Sequence, residues 1–507
     1  MEALSSALLS NIALGFSVAF SPGNLALCLV GCLLGTMIGV LPGIGPSATI
    51  AMLMPITFYL TPVGALIMLA GVFYGSQYGG STTAILVNLP GESSSVVTTL
   101  DGHAMARAGR AGAALAVAAL ASLLAGTLTT LVIAAAGPPI ARLALLFQSP
   151  DYVAVMVLGL VAAVVLAQGG LIKALAMIVL GIFLGLVGTD VTTGMQRYTL
   201  GVNALFDGIG FVPVAMGLFG LAEIALNLEA TQGHGRVITP RDRLWPTRED
   251  FRRATPAALR GTALGVGLGI LPGSTTDIPA YGAYSLEKKL SREPSRFGRG
   301  AVEGVAAPEA ANNAAAQAGF IPMLSLGIPP NAIMAMMVGA MMVHGIAPGP
   351  QIISKQPELF WGLVASMWLG NAVLVLLNLP LIWLWIRLLT IPYRVLFPAI
   401  IVFCCIGSYS LKNNIADLLI MGVFGVIGYA LRKLRCEPAP LLLGFILGPM
   451  LEENFRRSML LSAGELSIFV TRPISALFLG VSAALLLAMM FAAVRRQRSG
   501  GAAAAAP

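Results

Sequence analysis

Apolar residues run along this chain in long blocks. Ala111 to Ala136, Tyr152 to Ala167, Leu171 to Val187 and Ile474 to Val494 each approach the ~20 residues that a helix needs to cross ~30 Å of hydrocarbon. Such runs predict membrane helices, not the alternating strands of a barrel. Polar residues interrupt the apolar background in register with helical geometry. Tyr74, Gln77, Tyr78 and Ser81 fall at i, i+3, i+4 and i+7, and Glu309, Asn312 and Asn313 at i, i+3 and i+4, so each group forms one stripe of a helix. A polar stripe inside a membrane faces protein or water. Interhelical hydrogen bonding accounts for the amides, whereas the carboxylate of Glu309 needs a stronger reason to be there.

Glycine and proline punctuate the apolar blocks, and they do so twice. Gly35-Thr36-Met37-Ile38-Gly39-Val40-Leu41-Pro42-Gly43 is echoed by Gly261-Thr262-Ala263-Leu264-Gly265-Val266 leading to Leu271-Pro272-Gly273. Downstream, Gly80-Ser81-Thr82-Thr83 leads to Asn88-Leu89-Pro90-Gly91, and Gly319 leads to Gly327-Ile328-Pro329-Pro330-Asn331, with the same ten-residue interval from glycine to proline. Segments this short and broken predict helical hairpins whose tips reach towards the midplane and expose backbone groups there.

Charge decides how the two copies are oriented. The 507-residue chain is 57% hydrophobic and 10% charged, with a net charge of +8, far from the balance of a soluble domain. Its Lys and Arg sit beside apolar segments, the positive-inside pattern, so the partner of this charge is membrane lipid and not nucleic acid. No Lys or Arg precedes Arg107, which places the N-terminus outside, whereas seven arginines from Arg236 to Arg260 place that stretch in the cytoplasm. The link Tyr59 to Gly64 is uncharged, and its counterpart carries Lys288, Lys289, Arg292, Arg296 and Arg299. Arg107 and Arg110 follow the second motif of the first half, while Met341 to Pro350 carry no charge beyond His344. Each matched loop changes sides. The C-terminal quarter agrees less well: Arg432, Lys433, Arg435, Arg495, Arg496 and Arg498 read as cytoplasmic, which leaves Lys412, Arg456, Arg457 and Arg472 outside.

The predicted fold is therefore an all-α polytopic membrane protein of about 12 segments, in two inverted repeats with broken helices and re-entrant hairpins. Its expected parts are a first half, 1–227, a basic cytoplasmic linker, 228–260, a second half, 261–494, and a low-complexity tail, 495–507, expected to be cytoplasmic and disordered. Met1 to Pro22 lack the positively charged region of a signal peptide.

The candidate chemistry lies at the breaks. Free N–H groups at a helix N-terminus carry partial positive charge and can hold a carboxylate without a full cation. The expected contacts for a substrate anion are Gly43, Gly45 and Ser47, then Gln77, Ser81 and Thr82, then Asn88, Pro90, Gly91, Glu92 and Ser93 in the first half. In the second they are Gly273, Ser274 and Thr275, with Asn312, Asn313, Pro329 and Asn331. Asp277 or Glu309 is the expected site of a coupling cation, Na⁺ or H⁺, since a desolvated carboxyl can exchange protons during transport. Asp207 and Glu223 are expected to be structural or interfacial, and His103 and His344 to be solvated at segment ends. No cofactor or metal site is expected. Cys28 and Cys32 are four residues apart but lack a further ligand, and the H-E-x-x-H, Walker A and G-x-S-x-G patterns do not occur. The chain does not read as an enzyme.

With these motifs in hand, the chain resembles the large membrane subunit of the tripartite tricarboxylate transporters. The resemblance rests on Gly35 to Pro46, on Tyr74 to Thr83 with Asn88 to Glu92, and on Pro308-Glu309-Ala310-Ala311-Asn312-Asn313-Ala314-Ala315, and covers about residues 20 to 490. It implies a multi-pass secondary transporter of the bacterial inner membrane that imports organic carboxylates with an ion gradient. The implied partners are a small four-helix membrane subunit and a periplasmic substrate-binding protein. The sequence departs from the family at Ile328-Pro329-Pro330-Asn331-Ala332, where small glycine and serine residues are expected after the first proline. A passive channel or a non-transporting scaffold is the alternative.

Overall fold

The computed structural model describes residues 2–41, 45–167, 170–190, 192–229, 238, 245–271, 273–389 and 393–503. Among these the chain is helical, apart from a short antiparallel ladder that pairs Gly188–Thr189 with Gln196–Arg197. The helices used below are α1 (Pro22–Val40), α2 (Pro62–Val87), α3 (Ala111–Ala144), α4 (Ser149–Leu166), α5 (Leu171–Gly185), α6 (Arg248–Gly269) and α7 (Asp277–Leu290). They continue with α8 (Glu303–Ala318), α9 (Ala332–Val343), α10 (Pro357–Asn378), α11 (Pro438–Leu461) and α12 (Pro473–Ala503). Five described helical stretches are long and apolar enough to cross a membrane: Pro22–Val40, Ala111–Ile140, Phe211–Glu229, Pro357–Asn378 and Ile415–Lys433. Shorter apolar helices accompany them, among them Ser149–Val165, Leu171–Gly185 and Ala332–Val343.

The chain packs as two compact units. One comprises Met1–Arg142, Gly210–Leu271 and Thr275–Lys433, the other Leu143–Ile209, Pro272–Ser274 and Leu434–Pro507. Neither unit corresponds to a half of the sequence, because each draws helices from both sides of the basic linker. In the second unit α5 packs on α11 and α4 on α12, and Arg472 pairs with the buried carboxylate of Asp151 at 2.7 Å. α12 continues to Ala503, so helix extends into the stretch expected to be a disordered tail. Its alanines favour helix as long as the turns before them are formed.

The first unit is built around close glycine contacts. Gly31, Gly35 and Gly39 lie one turn apart on α1 and press on the carbonyls of Met68, Val72 and Ser76 in α2, where an alanine Cβ would fall 2.3 Å from each oxygen. α6 and α8 repeat the arrangement. A Cβ at Gly261 or Gly265 would fall 2.3 or 2.4 Å from the carbonyl oxygen of Ala307 or Ala311, and one at Gly269 2.7 Å from that of Ala315. Small residues let helix backbones approach this closely, and without a hydrophobic drive between helices in lipid, such van der Waals contact supplies much of the association. The duplicated Gly-x-x-x-Gly spacing in the sequence is thus spent on duplicated helix packing.

Both hairpin tips follow the same backbone path. α2 ends on Asn88 at φ 60°, and the helix Phe320–Leu326 ends on Gly327 at φ 75°, each a left-handed cap that precedes a proline by two residues. Four residues after each cap, Glu92 (φ −148°, ψ 170°) and Asn331 (φ −148°, ψ 175°) start the returning arm. The earlier breaks also fall where glycine and proline predict them: α1 stops at Val40 and α6 at Gly269, with new helices from Pro46 and Asp277.

Candidate functional site

The two polar stripes meet inside the first unit. α2 is buried along almost its whole length from Gly64 to Val87, so Gln77 and Ser81 can only face protein. Opposite them, α8 carries Glu309, Asn312 and Asn313, all wholly buried. Ser81 Oγ donates to Glu309 Oε2 at 2.6 Å, and Thr98, on the returning arm of the first hairpin, donates to Oε1 of the same carboxylate. Ser94 donates to Gln77 Oε1 at 2.9 Å and accepts from Asn312 Nδ2 at 3.3 Å. Asn313 Nδ2 donates to Asn312 Oδ1 at 2.7 Å and to Ser122 Oγ of α3 at 2.8 Å.

The electrostatics of this cluster are one-sided. Among the described residues no Lys, Arg or His is ion-paired with Glu309, and its bonded partners are neutral groups, the hydroxyls of Ser81 and Thr98 and the Asn312 amide. A buried carboxylate is costly unless a cation or a proton neutralises it. Tyr78, Ser81, Ser122 and Glu309, with Asn378 of α10, line a small cavity of about 10 Å³, room for a single water-sized particle. Gln77 Nε2, Asn313 Oδ1, Asn378 Oδ1 and the Tyr74 hydroxyl are buried without a hydrogen-bond partner among the described residues. Unspent polar atoms at such depth are the mark of a site that accepts something more.

The tips themselves differ in their caps. Glu92 begins the returning arm of the first hairpin with a capping box, its side chain taking the amide of Ser95 while Ser95 Oγ takes that of Glu92, and the Ser94 hydroxyl also lies within hydrogen-bond reach of its carboxyl group. A carboxyl group of the chain itself thus sits at the start of this arm. At the second tip the cap is neutral: Asn331 Oδ1 accepts from the amide of Met334 at 3.0 Å. Pro330, at the position of the family departure, packs on Gly319, whose Cβ position lies 3.1 Å from the proline Cγ. Its counterpart Gly91 has no such freedom, since a Cβ there would lie 2.0 Å from the Gly39 carbonyl.

The remaining expected residues are placed as follows. Gly43 lies outside the described residues, as do Pro42 and Pro272 of the two breaks. Gly45 is the N-cap of the helix Pro46–Thr57, with Ser47 half-buried in its first turn. Thr82 bonds back to the Tyr78 carbonyl at 3.2 Å, Pro90 is half-buried and Pro329 buried. Ser93 is exposed, whereas Ser94 and Ser95, the next two residues of the same 3-10 turn, are buried. Asp277 opens α7, which packs on the Ser93–Ser95 turn and brings this carboxyl within Coulombic reach of Glu92; Thr275 lies just before it, half-buried. Gly273, at φ +79°, rests on the backbone of Ala162 and Ala163, in the second unit with Ser274. Glu223 faces Arg432 at 3.6 Å and Asp207 is exposed. His103 and His344 are not simply solvated: each bonds a backbone carbonyl, of Ile85 at 3.0 Å and Thr57 at 2.9 Å.

Sequence reasoning passed over Thr98, Ser122, Asn378 and Asp101. Ser122 and Asn378 are isolated polar positions in apolar surroundings, Thr98 is one of several hydroxyl residues in a polar stretch, and Asp101 lies outside either stripe. Asp101 nevertheless is wholly buried and accepts four hydrogen bonds. The signal that could have found it is the pair Gly298 and Gly300, each at positive φ, whose amides face its carboxylate.

Comparison with known proteins identifies the family of the chain. The profile of the Tripartite tricarboxylate transporter TctA family matches residues 25–443. An Agrobacterium vitis protein described as "Uncharacterized 52.8 kDa protein in TAR-I ttuC' 3'region" is 55% identical over 477 residues, covering 94% of this chain and 95% of that protein. A second from the same organism, "Uncharacterized protein in TAR-II ttuC' 3'region", is 58% identical over 214 residues, covering 42% of this chain and 88% of its own length. No solved structure matches. With a match over most of its length and both polar stripes brought to one buried cluster, the chain belongs to the TctA family, the large membrane subunits of the tripartite tricarboxylate transporters.

Proposed function

We propose that this subunit imports tricarboxylates or related organic acids across the bacterial inner membrane by ion-coupled secondary transport, together with a small four-helix membrane subunit and a periplasmic binding protein. The observation that carries the reading is Glu309, a wholly buried carboxylate bonded by hydroxyls of the first half and lacking a basic partner among the described residues. Such a group is tolerated at that depth when a cation balances its charge or a proton neutralises it. Na⁺ or H⁺ at Glu309 would thus balance the site, and release of that ion would leave a charge that disfavours the loaded arrangement. The substrate's carboxylates would be received at the second tip, where the returning arm α9 starts behind the neutral cap Asn331 and its first amides carry the positive end of the helix dipole. Asp277, near Glu92, would serve as a second carboxyl that responds to the occupied state.

Uptake of a radiolabelled carboxylate panel, citrate included, into vesicles holding this subunit, its small partner and the matching binding protein tests the reading under imposed Na⁺ or H⁺ gradients. Concentrative uptake under one gradient supports it and names the ion. Flux that persists without gradient or binding protein would instead indicate a channel, and absence of flux across the panel a scaffold.

A further inference from the structure

Helix α8, which carries Glu309, begins without a cap of its own. Val302 occupies the N-cap position and offers no side-chain acceptor; the amides of Gly304 and Val305 turn back to the carbonyls of Ala301 and Val302, which leaves the free amides in the turn just before the helix. Asp101 holds that turn from the other half of the chain. Its Oδ1 accepts from the backbone N–H groups of Gly298, Gly300 and Ala301 at 2.9, 2.8 and 2.8 Å, and its Oδ2 from the Tyr284 hydroxyl at 3.0 Å. Gly298 and Gly300 hold φ of +83° and +101°, the backbone form that turns nearby N–H groups onto one anion. The carboxylate also lies at the positive end of α8. The fit is close: at Gly304, in the first turn of α8, an alanine Cβ would fall 2.2 Å from Asp101 Oδ2.

Asp101 sits in a π-helical turn, Thr99–His103, a local widening of the kind that marks functional sites. Three residues earlier, Thr98 donates to Glu309 itself. One stretch of the first-half arm therefore grips α8 twice, at its entrance and at its carboxylate. We propose that Asp101 is a positioning residue for Glu309: by anchoring the 298–301 turn that leads into α8 it sets the height and rotation at which that carboxylate is presented. The inference rests on the reading of Glu309 as the cation site.

The test compares half-saturation concentrations for the driving cation and for substrate in reconstituted vesicles. Asp101→Ala raises the cation value about tenfold, the scale of buried donors left without their acceptor, while the substrate value moves less than about threefold. Asp101→Asn keeps a carbonyl oxygen for the three amides and restores most of the wild-type value. Gly304→Ala, which drives a methyl onto Oδ2, reproduces the Asp101→Ala shift and adds nothing to it in the double variant. Equal shifts in both constants, or a lower rate with both constants unchanged, overturn the positioning role. Amide hydrogen exchange on the purified full-length protein reads the anchored turn without transport: faster exchange across residues 298–306 in Asp101→Ala supports it, and unchanged exchange overturns it. Wild-type protein that moves no substrate under any gradient removes the transport reading, and the exchange result still decides whether Asp101 holds the entrance to α8. If Asp101→Ala fails to fold, Gly304→Ala carries both measurements.

Discussion

The hydroxyl of Ser81 donates to Glu309 Oε2 at 2.6 Å across 228 residues of sequence, joining the polar stripe of one half to that of the other. Removing either partner has a different consequence. Ser81→Ala leaves a buried carboxylate oxygen short of a donor and lowers stability by about 1–3 kcal/mol. Glu309→Gln keeps the shape and removes the charge, so it melts at or above the wild-type temperature while gradient-driven accumulation falls to background. Thermal melting and vesicle uptake of the two variants check this, and wild-type accumulation by Glu309→Gln would exclude Glu309 as the coupling site.

The glycines of α6 should divide sharply by position. Gly265 faces the Ala311 carbonyl with 2.4 Å for a Cβ, whereas Gly267, two residues on, has nothing within 4 Å. Gly265→Ala is predicted to destabilise by about 1–3 kcal/mol through forced separation of α6 and α8. Gly267→Ala should stabilise by up to about 1 kcal/mol through helix propensity alone. Equal melting temperatures for the two variants would remove the glycine contacts from the account of α6–α8 packing.

Asn331→Asp tests where substrate charge is received. Aspartate caps a helix as well as asparagine, so the fold and the α9 start should be retained. A carboxylate beside the incoming anion raises the substrate KM for uptake at least roughly tenfold through like-charge repulsion. An unchanged KM would move the anion away from the second tip.

On the side assigned to the cytoplasm, Arg110 holds both oxygens of Asp250, at 2.6 and 2.7 Å. Burial pushes the Asp250 carboxyl up, but the Arg110 guanidinium and the Thr247 hydrogen bonds outweigh it and hold the group below its ordinary range. The folded value thus lies under the ~3.9 of an unfolded chain. The pair stabilises the fold above that unfolded value, and its contribution is lost as pH falls through the lowered folded value. Wild type should exceed Asp250→Asn by about 1 kcal/mol near neutral pH. The gap should narrow in melts taken from about pH 5 downwards; a gap constant with pH would show that the carboxylate's charge is not what Arg110 reads.

How legible all this was depends on the distance over which each feature acts. The tips were plain in the sequence because a left-handed cap followed by proline is a local event: Asn88 with Pro90, and Gly327 with Pro329, carry their own signal. The stripes Gln77–Ser81 and Glu309–Asn313 were equally plain, being helical periodicity. Their meeting was not, since no local pattern says which helix α2 will face. Glu92 is a local case like the tips: with Ser95 it forms a capping box that spans only three residues.

By itself the sequence determined a helical membrane protein with matched breaks, a charge pattern that alternates between matched loops, and glycines every fourth residue on α1 and α6. These follow from hydrophobic run length, backbone sterics and side-chain period, which act within a few turns of chain. Tertiary structure alone decided that Thr98 and Ser81 hold Glu309, that Asp101 serves α8, and that the helices of the two halves are shared between the packed units. Asp101 binds backbone amides, which every residue possesses, and close helix packing selects partners by shape over hundreds of residues; neither leaves a local mark for a reader of the sequence.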